Sequence, residues 1–317
     1  MPIDCLSVGI LVADHLCTPI PRVPAAGELV LAERLPLTIG GCASNAAMDL
    51  NRVGVRVGVV GSVGADVFGR FIIEQFQTAG LDTQSIRVVP DVHTSGTLII
   101  NVEGEDRRFI HSIGANAWFR AADIPVDRLH EVKVLYVGGY RLMPSLDAVE
   151  LAAVFRRARS LGVKTVLDVV LPGGQDHWPH LEPVLSETDV FLPNDDEAAL
   201  LTGLDDPQAQ AERFHAAGAR TVVITCGGEG TVMIADGERL RADAHRVTYV
   251  GGTGAGDAFD AGYIAGLLAG EDARGCLAWG SALGASCVRA IGATESVFNR
   301  AEAIEFMQAN PMQIRRW

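Results

Sequence analysis

Short apolar runs alternate along this chain with longer stretches whose apolar positions follow a helical spacing. The short runs lie at 5–12 (CLSVGILV), 55–61 (VRVGVVG), 133–138 (KVLYVG), 163–168 (VKTVLD), 189–192 (DVFL) and 221–226 (TVVITC). Several are apolar at nearly every position, as parallel strands buried on both faces require. The longer stretches, 44–53, 66–79, 145–161, 195–202, 207–217, 257–269, 272–290 and 299–309, predict helices, and Gly or Asp marks many of their boundaries. Alternation of this kind predicts an α/β fold with a parallel sheet and helices on both sides.

Two regions break the rhythm. Residues 17–40 are rich in proline and then alternate (ELVLAERLPLTI), and residues 95–111 (SGTLIINVEGEDRRFIH) read as two strands joined by a turn at Glu103–Asp106. Neither has a crossover helix, so they predict a small second β-sheet inserted into the α/β body. Such a sheet serves as a lid over a ligand, as a dimer surface, or as decoration of a sheet edge.

The 317 residues suffice for one large domain with a small accessory element, and an apolar content of 48 % supplies its core. The formal net charge of −13 argues against nucleic acid or an anionic membrane as the main partner. It leaves room for an anionic ligand, because backbone N–H groups at a helix start bind anions without any basic residue. The six cysteines form no CxxC pair and have no histidine cluster beside them, which predicts reduced, mostly buried thiols and a cytoplasmic protein. The N-terminal stretch MPIDCLSVGILVAD has acids within its apolar run and reads as a first strand rather than a signal peptide.

Four glycine-rich or acidic stretches carry candidate chemistry. Thr253-Gly254-Ala255-Gly256-Asp257 precedes a strongly helical run, and small residues there let backbone N–H groups approach a phosphate. Asp257 is awkward in such a place, and read alone it serves equally well as an ordinary first-turn acid. Gly40-Gly41-Cys42-Ala43-Ser44-Asn45 is a second glycine-rich helix start, fit for hydroxyl recognition by Asn45 or simply for close helix packing. Asn194 and Glu197 share a helix face after strand 189–192, a pair suited to hydrated Mg²⁺ or to an acidic helix terminus. Thr225-Cys226-Gly227-Gly228-Glu229-Gly230 stands at another strand end, as a ligand loop or a plain turn. The GxxxxGK[ST], early GxGxxG, HExxH, EF-hand and GxSxG patterns are all absent.

Together and in this order, the stretches resemble the ribokinase-like, phosphofructokinase-B (PfkB) family of carbohydrate kinases. Residues 40–72 (GGCASNAAMDLNRVGVRVGVVGSVGADVFGRFI) look like its N-terminal signature, and residues 251–268 (GGTGAGDAFDAGYIAGLL) are similar to its C-terminal DTTGAGDxF signature. PNDDEAALLTG at 193–203 matches the N-x-x-E segment and VVITCGGEGTVM at 222–233 the T-x-G segment. The resemblance implies one ribokinase-like unit over 1–317, a three-layer α/β/α body with lid segments at about 14–40 and 93–117. It implies ATP-dependent phosphorylation of a hydroxyl on a sugar-like molecule, with Asp257 as base and the N–H groups of Gly254, Ala255 and Gly256 as anion hole. It assigns ATP to Asn194, Thr225, Gly227, Gly230, Thr253, Gly254 and Gly256, and Mg²⁺ to Asn194 and Glu197, through water. It gives the sugar to Asp14, at the end of the first strand, and to Gly40, Gly41, Asn45 and Asn116. It also opens a homodimer through the lid.

Three departures from the family pattern stand out. Gly251 replaces the leading acid of DTT, which argues against a monovalent-cation site. Asp168-Val169-Val170-Leu171-Pro172 lacks the Asn and Arg of D-x-N-x-R, and Gly138-Gly139-Tyr140-Arg141 lacks the acid of ribokinases proper. Arg141 is then either a contact for an anionic substrate or a surface residue. A nucleoside kinase and a non-catalytic ligand-binding protein are the competing functional readings.

Overall fold

The computed structural model of the chain describes residues 3–105 and 107–317. Its strands are β1 (Cys5–Gly9), β2 (Val12–Ile20), β3 (Leu37–Gly40), β4 (Val57–Gly64), β5 (Asp82–Val89), β6 (Gly96–Val102), β7 (Arg108–Ser112), β8 (Val134–Tyr140), β9 (Lys164–Val169), β10 (Val190–Phe191), β11 (Thr221–Thr225), β12 (Thr231–Ala235), β13 (Glu238–Ala242) and β14 (Ile314–Arg316). Its α-helices are α1 (Cys42–Arg52), α2 (Val67–Thr78), α3 (Ala148–Ser160), α4 (Trp178–Leu185), α5 (Asp195–Thr202), α6 (Pro207–Ala216), α7 (Ala255–Ala269), α8 (Ala273–Cys287) and α9 (Arg300–Ala309).

The large sheet has the order β14-β13-β12-β11-β10-β9-β8-β1-β4-β5. It is parallel from β5 across to β11, and the last three pairings are antiparallel. Two apolar cores sandwich it, which is why its strands read as unbroken apolar runs. Leu50, Ile72, Phe76, Ile264, Leu277 and Leu283 from α1, α2, α7 and α8 fill one core. Leu151, Phe155, Leu181, Leu201 and Phe214 from α3 to α6 fill the other. The expected α/β body with a mainly parallel central sheet is therefore present. All six cysteines are free thiols, and no helix is long and apolar enough to cross a membrane among the described residues.

The second sheet has four strands in the order β3-β2-β6-β7, with β2 parallel to β6 and antiparallel to β3. Its origin corrects the reading of the first strand. The run 5–12 is not one strand: β1 stops at Gly9, and β2 starts at Val12 and crosses into the small sheet. Asp14 thus does not end a core strand but sits within β2, opposite Thr38 on one side and Thr97 on the other. The alternating stretch 28–35 also forms no strand. Leu29, Leu31 and Leu35 are exposed while Val30 and Ala32 pack against Cys17, Ile20 and Val102, so the alternation marks a half-buried stretch that lies on the small sheet without joining its ladder. The turn expected at Glu103–Asp106 ends on Asp106, which lies outside the described residues.

Candidate active site

Ligand sites in open α/β sheets gather outside the carboxyl ends of the parallel strands. Here that edge collects the residues after β8, the end of β9, the start of α5, the residues after β11 and the starts of α1 and α7. The start of α7 is its centre. Gly254 is the N-cap, with φ of 80°, and a Cβ there would stand 2.5 Å from the Ala293 carbonyl oxygen. Only glycine fits, and it brings no side chain to cap the helix; Ala255 N–H donates to the Gly252 carbonyl at 3.2 Å, and the next N–H groups of α7 have no side-chain cap. A Cβ on Gly256 would meet nothing within 4 Å, so the space beside this backbone is open.

Asp257 is half-buried in the first turn of α7 and is held from across the fold. Asn45 Nδ2, on α1, donates to Asp257 Oδ2 at 2.7 Å. Burial pushes the Asp257 carboxyl above the usual carboxylate range, and hydrogen bonds from Asn45 and Cys42 oppose the rise. Two glycine-rich helix starts that lie 212 residues apart therefore meet at one carboxylate. Asn45 Oδ1 is buried without a partner, an acceptor free for a ligand hydroxyl.

Asp14 completes that side. It is buried, its Oδ1 has no partner, and burial pushes its carboxyl up to about 6, with a Thr97 hydrogen bond opposing. A Cβ on Gly40 would lie 1.8 Å from Asp14 Oδ2, so the glycine makes room for the carboxylate. Gly41 is the N-cap of α1 at φ 91°, again without a side-chain cap. Asn116 has a different task from the expected one. Its Oδ1 accepts from Leu11 N–H at 3.2 Å and its Nδ2 donates to the Leu11 carbonyl at 3.1 Å. Both ends of the amide bind the Leu11 backbone, so Asn116 fixes the chain leading into β2, with one N–H and one lone pair left beyond these bonds.

On the opposite side, Asn194 and Glu197 form a reciprocal cap at the start of α5. Asn194 Oδ1 accepts from Glu197 N–H at 2.8 Å, and Glu197 Oε2 accepts from Asn194 N–H at 3.1 Å. A bridge pairs Asn194 with Thr225, which brings the start of α5 beside the loop holding Gly227 and Gly230. Burial, then Asp168, push the Glu197 carboxyl well above its ordinary range.

Sequence reasoning assigned no role to three residues that the structure places here. Asp168 accepts from Gly139 N–H at 2.9 Å, and burial with repulsion from Asp257 pushes it to about 8. The Cys42 thiol and one carboxylate oxygen each from Asp168 and Asp257 lie within 4.8 Å of one another. Arg107 reaches from the turn between β6 and β7, and its Nη1 would stand 2.9 Å from a Cβ on Gly252. Residues including Asn101, Arg107, Tyr249, Gly252 and Thr253 line a cavity of about 440 Å³ between the small sheet and the approach to α7. A double arginine at a lid turn in an acidic chain was the available signal for Arg107. Nothing in the sequence reveals which carboxylates converge.

The crowd of acids also bears on a cation. Asp257 raises Asp168, and both raise Glu197 and Asp260, so a divalent cation would offset repulsion that the protein alone leaves standing. An all-oxygen donor set suits Mg²⁺.

Comparison with known proteins places the chain in a family. Residues 3–300 match the pfkB family carbohydrate kinases. A ribokinase from Haemophilus influenzae is 28 % identical over 308 residues, covering 95 % of this chain and 97 % of its own. An ATP-dependent 6-phosphofructokinase from Thermoanaerobacterium thermosaccharolyticum is 25 % identical over 304 residues, covering 92 % and 89 %. A solved putative ribokinase II from E. coli, in complex with ATP and Mg²⁺, superposes with a TM-score of 0.81 at 21 % identity over 97 % of this chain and 100 % of its own, a likeness of fold. The chain belongs to the PfkB family of carbohydrate kinases and is an ATP-dependent sugar kinase.

Proposed function

We propose that Asp257 is the general base that takes the proton from a sugar hydroxyl as that oxygen attacks the γ-phosphate of ATP. The observation that carries this reading is the 2.7 Å bond from Asn45, which holds one oxygen of the Asp257 carboxylate in place from across the fold. Phosphoryl transfer demands positioning and charge stabilisation more than a strong base, so a carboxylate suffices. The N–H groups of Gly254, Ala255 and Gly256 receive the transferring phosphoryl at the uncapped start of α7. Asp14 and Asn45 accept from sugar hydroxyls through their buried, partnerless oxygens, and Gly40 and Gly41 make room for the Asp14 carboxylate and the Ile10 carbonyl that shape the sugar's side of the site.

Asn194, Thr225, Gly227, Gly230 and Thr253 line the nucleotide side. Asn194 and Glu197 hold hydrated Mg²⁺, whose charge offsets that of the phosphates. Residues 1–317 act as one kinase unit with the small sheet as its lid. The exposed Leu98 and Ile110, which stand opposite each other on one face of that sheet, supply apolar surface for a homodimer. Gly251 offers no carboxylate, and Val250 and Gly251 both donate to the Val288 carbonyl, so the site works without a monovalent cation.

The test is sugar-dependent ADP release with Mg·ATP. Turnover on a sugar or its phosphate supports the reading, whereas tight binding of both ATP and a sugar without any ADP would identify a binding protein instead.

A further inference from the structure

The turn that follows β8 has a backbone its sequence does not favour. Leu142 N–H donates to the Gly139 carbonyl at 3.1 Å, which closes a turn over residues 139–142, and Arg141 stands third in it with φ of 88°. That position suits glycine or asparagine, because a Cβ there crowds its own backbone. The other positive-φ non-glycine residues among those described are Asp91 and Asp236, of a type that tolerates it. A long cation held against backbone preference marks a place where the side chain's position matters.

The neighbours steer this guanidinium without neutralising it. His177 is buried, and its Nε2 lies 2.8 Å from the Pro172 carbonyl, which can only accept. The proton therefore sits on Nε2, and Nδ1 is left to accept from Arg141 Nε at 3.4 Å. The guanidinium carbon lies 5.5 Å from the centre of the Tyr140 ring, whose hydroxyl donates to the His180 carbonyl at 2.9 Å. Among the described residues no carboxylate lies within ion-pair distance of Arg141.

The turn is also fastened to the site. Gly139 N–H donates to Asp168, which converges with Cys42 and Asp257, and a Cβ on Gly139 would be 3.4 Å from Cys42 Sγ. Arg141 lies two residues further on, a cation without a carboxylate partner in a turn tied to the acidic cluster. Such a cation counters the repulsion that an anionic substrate would otherwise meet there.

We propose that Arg141, positioned by His177, recognises an anionic group, carboxylate or phosphate, on the sugar, so that the enzyme prefers sugar acids or phosphosugars to neutral sugars. The proposal rests on the kinase reading above and narrows its substrate.

Matched pairs test it: fructose against fructose 6-phosphate, and ribose against ribonate. Wild type should favour an anionic member in kcat/KM. Arg141→Gly, the residue the turn prefers and hence a variant that folds, should lower the anionic-to-neutral ratio by about tenfold or more, through KM rather than kcat. Arg141→Lys should restore part of the ratio, and His177→Phe should move it the same way as Arg141→Gly by a smaller factor. Equal or better use of the neutral member of both pairs, or an unchanged ratio in Arg141→Gly, overturns the proposal and leaves the kinase reading intact. If no pair member is turned over, the kinase reading fails and calorimetry decides. Binding of fructose 6-phosphate or ribonate that is lost in Arg141→Gly sustains the role of Arg141, and equal or absent binding in the two proteins overturns it.

Discussion

Eight of the nine α-helices among the described residues start in one of two ways; the ninth, α4, starts on His177, which gives it no side-chain cap, and Asp176 accepts from its Trp178 N–H at 3.0 Å instead. α2, α3, α5, α6, α8 and α9 begin on Asp66, Asp147, Asn194, Asp206, Asp272 and Asn299, whose side chains accept from the first N–H groups. α1 and α7 begin on Gly41 and Gly254, at φ 91° and 80°, and no side chain caps either. The first kind satisfies its own donors and holds the fold together. The second kind leaves donors open, and it does so at the two places where the Asn45–Asp257 bond joins the chain's distant halves. Missing caps therefore mark the ligand site more sharply than the glycines, which occur elsewhere in ordinary turns.

Breaking one member of each kind separates structure from chemistry. Gly254→Ala puts a Cβ 2.5 Å from the Ala293 carbonyl oxygen at a backbone angle alanine resists. It should cost about 3 kcal/mol in denaturant unfolding and at least about a hundredfold in kcat. Asn299→Ala removes a cap from the first kind of helix start and should cost about 1 kcal/mol while sugar turnover stays at wild-type level. Gly256→Ala sharpens the contrast. It should gain roughly 0.5 kcal/mol in helix stability and still lower kcat, because the open space beside it is the space the phosphoryl needs. Exchanging potassium for a bulky organic cation should change the rate by less than about twofold.

The acids around Asp257 give a pH dependence of defined sign. Asp168 is pushed to about 8 from an ordinary 3.8, so between these values the folded chain binds a proton the unfolded chain does not. Its contribution is complete below the unfolded value and is lost as pH rises through about 8, so stability falls with rising pH. Asp168→Asn, which can still accept from Gly139 N–H, should flatten this fall and at pH 8 exceed wild type by more than about 1 kcal/mol. Parallel Tm curves for the two proteins from pH 4 to 9 would remove Asp168 from this role.

How much was legible in the sequence depended on how local each feature is. α2, α5, α6 and α9 follow their expected ranges to within a residue or two, because caps and spacing are local signals. The run 5–12 misled because apolar continuity does not say which sheet a strand joins, and the chain changes sheets after Gly9. Residues 28–35 alternate as a strand does, and Val30 and Ala32 pack on the small sheet, but the stretch does not join its ladder. Strands β5, β13 and β14 were not expected, since their half-exposed patterns carry charged residues. Asp257 and Asn45 were visible within motifs, but their bond was not. Asp168, Cys42 and the strained φ of Arg141 depend on tertiary convergence, which no single sequence displays.

The central claim is that Asp257 does chemistry and does not hold the fold. Its direct test is Asp257→Asn, which keeps the shape and, because the carboxyl is destabilised by burial, should not lower Tm. Steady-state ADP release should fall by about a thousandfold in kcat while calorimetric affinity for ATP stays within about threefold. A kcat within tenfold of wild type would contradict the account and move the base elsewhere in the acidic cluster.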